Sequence, residues 1–330
     1  MKAIIHKGKL GKDGLSLSDI ELQEPGHGEV RVKMKAAGLN HRDLFVLQRH
    51  KEEEPALVIG SDGAGIIEKV GEGVDEGLIG KEVMILPSLG WKYKSDAPPE
   101  SFEIVGLPDH GTFSEYIVIP QENAVEKPNY LNWEEAGVLS LSALTAYRAL
   151  FTKGRVKPGM KILIPGIGSG VATFLLQFAV AAGAEVTVTS RSEKKRDLAL
   201  KLGASSAIDS DSEWEKSLNG NQVDLVIESV GAATFHKSLR SLKKGGTVVT
   251  FGASAGDVIE LNLRDFFYGQ LTMHGTSMGS GEEYRELLAF AEKHSIKPVI
   301  DQIWKLEDYD KAIKHMEDAG QFGKIGLSIS

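Results

Sequence analysis

Gly166, Gly168 and Gly170 stand at the head of "GIGSGVATFLLQFAVAAGAEVTVTSRSEKKR", between two segments that read as strands. Glycines at such a turn let the backbone bend tightly and approach a pyrophosphate. The helix that follows offers unpaired N–H groups and the positive end of its dipole to the same phosphates. Residues 161–165 are a short apolar run that suits a buried strand. Residues 171–182 are apolar almost all round, as in a helix buried on most sides. Gly183 suits a C-terminal cap, and 185–190 is β-branched at alternate positions, as in a second strand. Strand, glycine turn, helix and strand within about thirty residues make a dinucleotide site the expected chemistry; a glycine-rich turn that binds nothing is the alternative.

The end of the second strand tells which dinucleotide. An NAD site usually places a carboxylate there to accept from the ribose 2′-hydroxyl. This chain has Ser190, Arg191 and Ser192, followed by Glu193, Lys194, Lys195 and Arg196. A carboxylate repels a 2′-phosphate, whereas a guanidinium pairs with it. The expected cofactor is therefore NADP(H), with Arg191 as the phosphate reader and Ser190 and Lys195 beside it. Lys194 and Arg196 read as a solvated helix face.

The elements that hold these residues follow from pattern. The chain has 330 residues, enough for one large or two ordinary domains, and a net charge of −8 that disfavours general nucleic-acid or membrane-surface binding. Cysteine is absent, which removes disulfides, thiol nucleophiles and cysteine metal sites. No apolar run reaches membrane-spanning length, and the first residues do not resemble a signal peptide, so a cytoplasmic location is expected. There is no internal repeat. The first 120 or so residues carry short strands punctuated by glycine ("GEVRVKMKAAGLN", "GAGIIEKVGEGV", "GKEVMILP", "TFSEYIVIP"), as in a small β barrel. From "NWEEAGVLSLSALTAYRALF" the pattern turns helical. "KILIPG", "EVTVTS", "SAIDS", "VDLVIES", "GTVVTFG" and "LTMHGTS" then alternate with helices, which predicts an α/β, doubly wound parallel sheet of six strands. The last 50 residues return to the first domain, through a helix at "GEEYRELLAFAEKH", the segment "DYDKAIKHMEDAG" and a strand at "KIGLSIS".

With these elements in place the chain resembles the medium-chain dehydrogenase/reductase superfamily over its whole length. That resemblance implies a GroES-like β barrel domain, residues 1–142 with 278–330, and a Rossmann NADP-binding domain, residues 143–277. "GSDGAGIIEKVGEGV" keeps Gly60, Gly65, Gly71 and Val74 in the frame of the zinc-dependent alcohol dehydrogenases, but has Ser61 and Asp62 where those have His and Glu. Asn40 stands where the first zinc-binding cysteine would be, and Leu141 at the third ligand position. The lobe that carries four structural cysteines in relatives has none here; its Trp91 and Tyr93 either pack the lobe or flank substrate. No metal is therefore expected. The pattern is most similar to zinc-free quinone oxidoreductases of the zeta-crystallin type, on Asn40, Asp43 and Asp62, although the glycine loop departs from that branch at Ser169-Gly170-Val171-Ala172.

The resemblance implies site residues one by one. Asn40 is expected to donate to a developing oxyanion; its alternative is a turn residue bonding its own backbone. Thr145 matches a position near the nicotinamide ribose, and His41 is a proton-relay candidate or a surface residue. Asp43 and Asp62 either shape the pocket floor or cap loops. Gly168, Ser169, Gly170 and Val171 are expected at the pyrophosphate. Val230 belongs near a ribose or the nicotinamide, and Phe251, Gly252, Ser277 and Met278 along the nicotinamide half. The sixth strand, at the sheet edge, implies a homodimer. The expected activity is NADPH-dependent hydride transfer to a quinone, enone or activated alkene. A zinc-free carbonyl or alcohol oxidoreductase and a non-catalytic NADPH-binding protein are the alternatives.

Overall fold

Strand Glu29–Gly38 buries Val30, Val32 and Met34 on one face, the period-2 pattern of a strand against a core. Along one edge it pairs antiparallel with Asp62–Val70. Along the other it takes Tyr116–Pro120 and then the C-terminal strand Lys324–Ser328. With Glu82–Ile85, Ala124–Glu126 and Ile300–Lys305 these form a seven-stranded sheet, and Lys2–His6 joins Leu15–Asp19 and Leu57–Val58 in a three-stranded one. Ile4, Val30, Ile67, Ile85, Phe113 and Ile117 share one apolar core, as a GroES-like barrel requires. This is a computed structural model that describes residues 1–218 and 220–330. Contacts divide the chain into two units, Met1–Ser142 with Gly279–Ser330, and Ala143–Met278.

Glycine is needed where the first unit is tightest. A Cβ on Gly38 would lie 2.7 Å from Val138 Cα, so only glycine lets helix Trp133–Gly137 press onto the end of the long strand. In the cysteine-free lobe Trp91 is buried, meets Phe102 edge-on at 5.2 Å and donates its indole N–H to Ser95 at 2.9 Å. Tyr93 stays 76 % exposed, so tryptophan packs the lobe and tyrosine does not.

The second unit is a six-stranded, all-parallel sheet. Its order is Ser206–Ile208, Glu185–Thr189, Lys161–Ile164, Val223–Glu228, Leu242–Thr250 and Thr272–Gly275. Sequence order reverses between Lys161–Ile164 and Val223–Glu228, the switch point at which doubly wound sheets bind ligands. Helix Gly170–Ala181 follows the glycine turn and is closed by Gly183 at φ 81°. One helix escapes the sequence pattern, His41–Arg49. No helix among the described residues is long and apolar enough to cross a membrane.

The first unit also buries two histidines edge-on, with ring centroids 5.1 Å apart. His6 Nδ1 and His50 Nδ1 lie 2.8 Å apart, while His6 Nε2 and His50 Nε2 each face a carbonyl, Gly11 O and Pro55 O, both at 2.9 Å. Carbonyls only accept, so both Nε2 atoms carry protons and the pair has room for a single further proton between the Nδ1 atoms. Burial, followed by the charge of His50, pushes the His6 pKa down from 6.5, against the Gly11 and Lys9 carbonyls. The unfolded chain therefore protonates first as pH falls. The stability this group supplies is present above 6.5 and is lost as pH falls through its lowered folded value. Thermal midpoints measured from about pH 7.5 down to about 5.5 should fall less steeply for His6→Gln than for wild type. Equal slopes would show that His6 contributes nothing to acid sensitivity.

Candidate functional site

In the first unit a lysine ammonium lies at the centre of a buried polar cluster. Lys324, 2 % exposed at its side chain, donates to Asn40 Oδ1 at 2.7 Å, Leu39 O at 2.8 Å and Asp62 Oδ2 at 3.1 Å, with Ser142 Oγ at 3.2 Å. Asp62 is fully buried, and its other oxygen accepts from Leu141 N at 2.7 Å. The Asn40 amide nitrogen donates to Asp62 Oδ2 at 3.0 Å and has a longer contact of 3.4 Å to Gly38 O; Ser142 Oγ donates to Asn40 Oδ1 at 3.1 Å. Sequence reasoning offered the Asn40 amide to a substrate oxygen or to its own backbone. In the structure the side chain is engaged mainly with Asp62, Ser142 and Lys324.

Asn40 is also the residue before helix His41–Arg49, and Asp43 Oδ2 accepts its backbone N–H at 2.8 Å, one half of a capping box. The other Asp43 oxygen is buried with no partner among the described residues. Burial pushes the Asp43 pKa up to about 7, against the pull of the Asn40 amide and the charges of Arg42 and Lys324. His41, on the same turn, is exposed, yet the surrounding protein and then the Lys324 ammonium push its pKa down, so it is neutral at pH 7. Arg42 donates from Nη1 to Ser61 Oγ at 2.6 Å and to Val105 O at 3.0 Å, and Ser61 Oγ itself donates to Val105 O at 2.6 Å. Lys324, Ser142 and Arg42 were not singled out in the sequence. A lysine in a strand and an arginine in a helix carry no local signal of burial.

In the second unit the predicted residues gather at the carboxyl ends of the strands. Ser169 caps helix Gly170–Ala181 by accepting from Ala172 N at 3.1 Å. The N–H groups of Gly170 and Val171 are left without a partner among the described residues. Ile167 N donates to Thr189 O at 2.8 Å, which ties the glycine turn to the strand end that carries Ser190 and Arg191. A Cβ on Gly166 would lie 2.7 Å from Val230, so this turn is a cradle that a side chain would fill. Gly168, at φ 139°, completes it. Val230 is positioned by Glu228, a buried carboxylate missed in the sequence, which accepts from Val230 N at 2.7 Å, Gly231 N at 3.2 Å and Ser238 Oγ at 2.5 Å.

Phe251 and Gly252 follow Leu242–Thr250; Ser277 and Met278 follow Thr272–Gly275. Arg148, buried in the π-helical turn Arg148–Lys153, donates to Thr276 and so holds the second of these loops. Thr145 is buried on helix Ser140–Tyr147. Arg191 is exposed, Ser190 is buried, and Lys195 is half-buried on the first turn of helix Glu193–Lys201. One expectation is corrected here. Arg196 is not a solvated helix face: it donates to Ser190 O at 2.6 Å and to Asp209 at 3.0 Å, because its stem reaches back along the helix to the strand end.

Residues 26–129 match the alcohol dehydrogenase GroES-like domain, and residues 170–293 match the zinc-binding dehydrogenase family. A zinc-type alcohol dehydrogenase-like protein of Schizosaccharomyces pombe is 35 % identical, covering 100 % of this chain and 99 % of that protein. The chain belongs to the medium-chain dehydrogenase/reductase superfamily. It is an oxidoreductase of that superfamily, and its fold is that of the solved structures. A NAD-dependent alcohol dehydrogenase superimposes with a TM-score of 0.94 at 33 % identity, with full coverage of both chains. A mycobacterial protein solved with NADPH gives 0.84 at 26 % identity, again with full coverage.

The second unit fits a nicotinamide dinucleotide: the turn that glycine keeps open, the free amides and the strand-end loops supply what such a cofactor needs. The first unit does not fit zinc. Asn40 Oδ1 already faces an ammonium, Ser61 Oγ is bonded to Arg42 and Val105, and Leu141 has no donor atom. Among the described residues no group of His, Cys, Asp or Glu is arranged to hold a metal.

Removing one partner of a buried ion pair leaves the other charge uncompensated. Lys324→Met should therefore lower unfolding stability by about 3–5 kcal/mol. Urea denaturation measures this. A loss under about 1 kcal/mol would show that Asp62 does not depend on the lysine.

Proposed function

We propose that the chain is a zinc-independent, NADPH-dependent oxidoreductase that passes hydride to a quinone, an enone or another activated alkene. The end of strand Glu185–Thr189 carries the reading. Arg191 is exposed there beside Ser190. Asp209, at the end of the neighbouring strand, is already spent on Arg196 and on Asp211 N at 2.9 Å. Neither feature suits a free ribose hydroxyl, and both suit a 2′-phosphate.

When bound, the cofactor supplies the hydride; the chain supplies position and field. Gly168, Ser169, Gly170 and Val171 hold the pyrophosphate through backbone amides. Ser190, Arg191 and Lys195 hold the 2′-phosphate. Val230, Phe251, Gly252, Ser277 and Met278 orient the nicotinamide half, with Thr145 at its ribose. Asn40 is a positioning residue that fixes the Lys324 ammonium, whose charge favours an oxygen becoming negative. His41, kept neutral, relays the proton that completes the reduction.

A second reading, a carbonyl or alcohol oxidoreductase using the same residues without zinc, draws on the likeness to the NAD-dependent alcohol dehydrogenase. We also propose a cytoplasmic homodimer. The edge strand Thr272–Gly275 exposes Met273, and the residues before it expose Val258, Leu263, Phe267 and Tyr268, an unprotected edge suited to pairing with a second copy. Light scattering should give twice the chain mass, and a monomer at micromolar concentration would contradict pairing.

The cofactor and substrate claims share one experiment. Oxidation of NADPH and NADH is followed with quinones, enones and simple aldehydes, on wild type and Arg191→Ala. A hydrogen bond to a charged group contributes roughly 1.5–3 kcal/mol, so the variant should bind NADPH about ten- to a hundredfold more weakly and NADH nearly unchanged. Wild type should turn over quinones or enones with NADPH. Preference for NADH, or equal weakening of both cofactors, would refute the phosphate assignment. Turnover of aldehydes alone would favour the second reading, and no turnover a non-catalytic NADPH-binding protein.

A further inference from the structure

The two cations near Asn40 differ in what they lack. Lys324 is buried and ion-paired; Arg42 is half-buried and has no carboxylate within ion-pair distance among the described residues. Asp43 and Asp62 attract it only from further away, and Arg49 repels it. Burial pushes its pKa down, but a guanidinium stays charged in proteins, so it remains a cation short of a counter-charge.

Its geometry is fixed on one side and open on the other. Both Nη1 hydrogens are spent, on Ser61 Oγ at 2.6 Å and Val105 O at 3.0 Å. Ser61 is itself fully buried and bonded to Val105 O, so this anchor is rigid. Nε and Nη2 have no partner among the described residues. In a guanidinium these two nitrogens point their hydrogens to the same side, the edge that meets a carboxylate with two parallel N–H···O bonds. Along the chain Arg42 lies two residues from Asn40, and it is bonded to Ser61, the neighbour of Asp62. Arg42 is thus tied to the cluster that fixes Lys324 through two separate segments of the chain.

We propose that Arg42 is the substrate's anion anchor: its Nε–Nη2 edge takes the carboxylate of a small conjugated carbonyl compound that also bears an acid group. This rests on the reading that the chain reduces conjugated carbonyl compounds, and it narrows that class to acids. The shared chemistry, an oxyanion with two oxygens, also occurs in the cofactor's phosphates, so the test separates the two.

The probes are trans-4-oxo-2-pentenoate and its methyl ester as substrates, and 4-oxopentanoate, which lacks the conjugated double bond, as a ligand measured without NADPH. On wild type the acid should have a kcat/KM about ten- to a hundredfold above the ester, carried by KM. Arg42→Gln should bring the acid-to-ester ratio close to one and leave NADPH affinity as in wild type. Arg42→Lys, which keeps the charge and loses the fork, should fall between, and it serves as the comparison if the glutamine variant does not fold. An acid no better than its ester on wild type overturns the proposal. So does an unchanged ratio in the variants, or a loss of NADPH affinity in place of acid selectivity. If neither compound is reduced, the hydride-transfer reading fails, and calorimetry with 4-oxopentanoate still decides the anchor. Binding weakened about tenfold or more by Arg42→Gln upholds it, and absent or equal binding overturns it.

Discussion

The buried pair of Lys324 and Asp62 is the constraint on which the first unit depends. Two charges removed from water remain there only if nearly every remaining hydrogen and lone pair has a partner. The partners come from separate parts of the chain: Leu39 and Asn40 at the end of one strand, Leu141 and Ser142 in the first turn of helix Ser140–Tyr147, and the C-terminal strand that carries the lysine. Satisfying one ammonium therefore fixes how these segments meet. The small residues at the junction serve the same end, since Gly38 lets helix Trp133–Gly137 approach closely enough for Leu141 N to reach Asp62.

A fixed ammonium and a metal ion are different tools. The ion is a Lewis acid that can bind an oxygen directly, whereas the ammonium here has its hydrogens committed and acts through its field. That field reaches the helix that follows Asn40. It helps to keep His41 neutral, and it pulls on Asp43, which burial nevertheless holds at about 7. On that helix Arg42 has no carboxylate within ion-pair distance among the described residues, and its free edge is a directional donor. Charge is thus divided between a buried group that sets potential and a half-buried one able to bind.

Much of this was legible in the sequence where the signal is local. The glycine turn, the apolar helix behind it and the six parallel strands follow from short-range periodicity, and Ser190 and Arg191 could be placed because a strand end is a fixed address. The cluster around Asn40 was only half legible. Asn40 and Asp62 stood out, but Lys324 bonds Asp62 across 262 positions, and "GKIGLSIS" looks like any edge of a strand. Arg42, Glu228 and the pair His6 and His50 were missed for the same reason: their partners are brought by tertiary contacts. Arg196 was misread because a helix face that is solvated by pattern can still return a long side chain to the strand end.

The central claim is that a fixed lysine ammonium, and no metal, stands behind hydride transfer in this chain. The most direct measurement is metal content by mass spectrometry on the purified protein, paired with NADPH turnover of an enone before and after exhaustive chelation. The account predicts far less than one zinc per chain and turnover unchanged by the chelator. One tightly bound zinc per chain, with turnover lost on its removal and restored by its return, would contradict it.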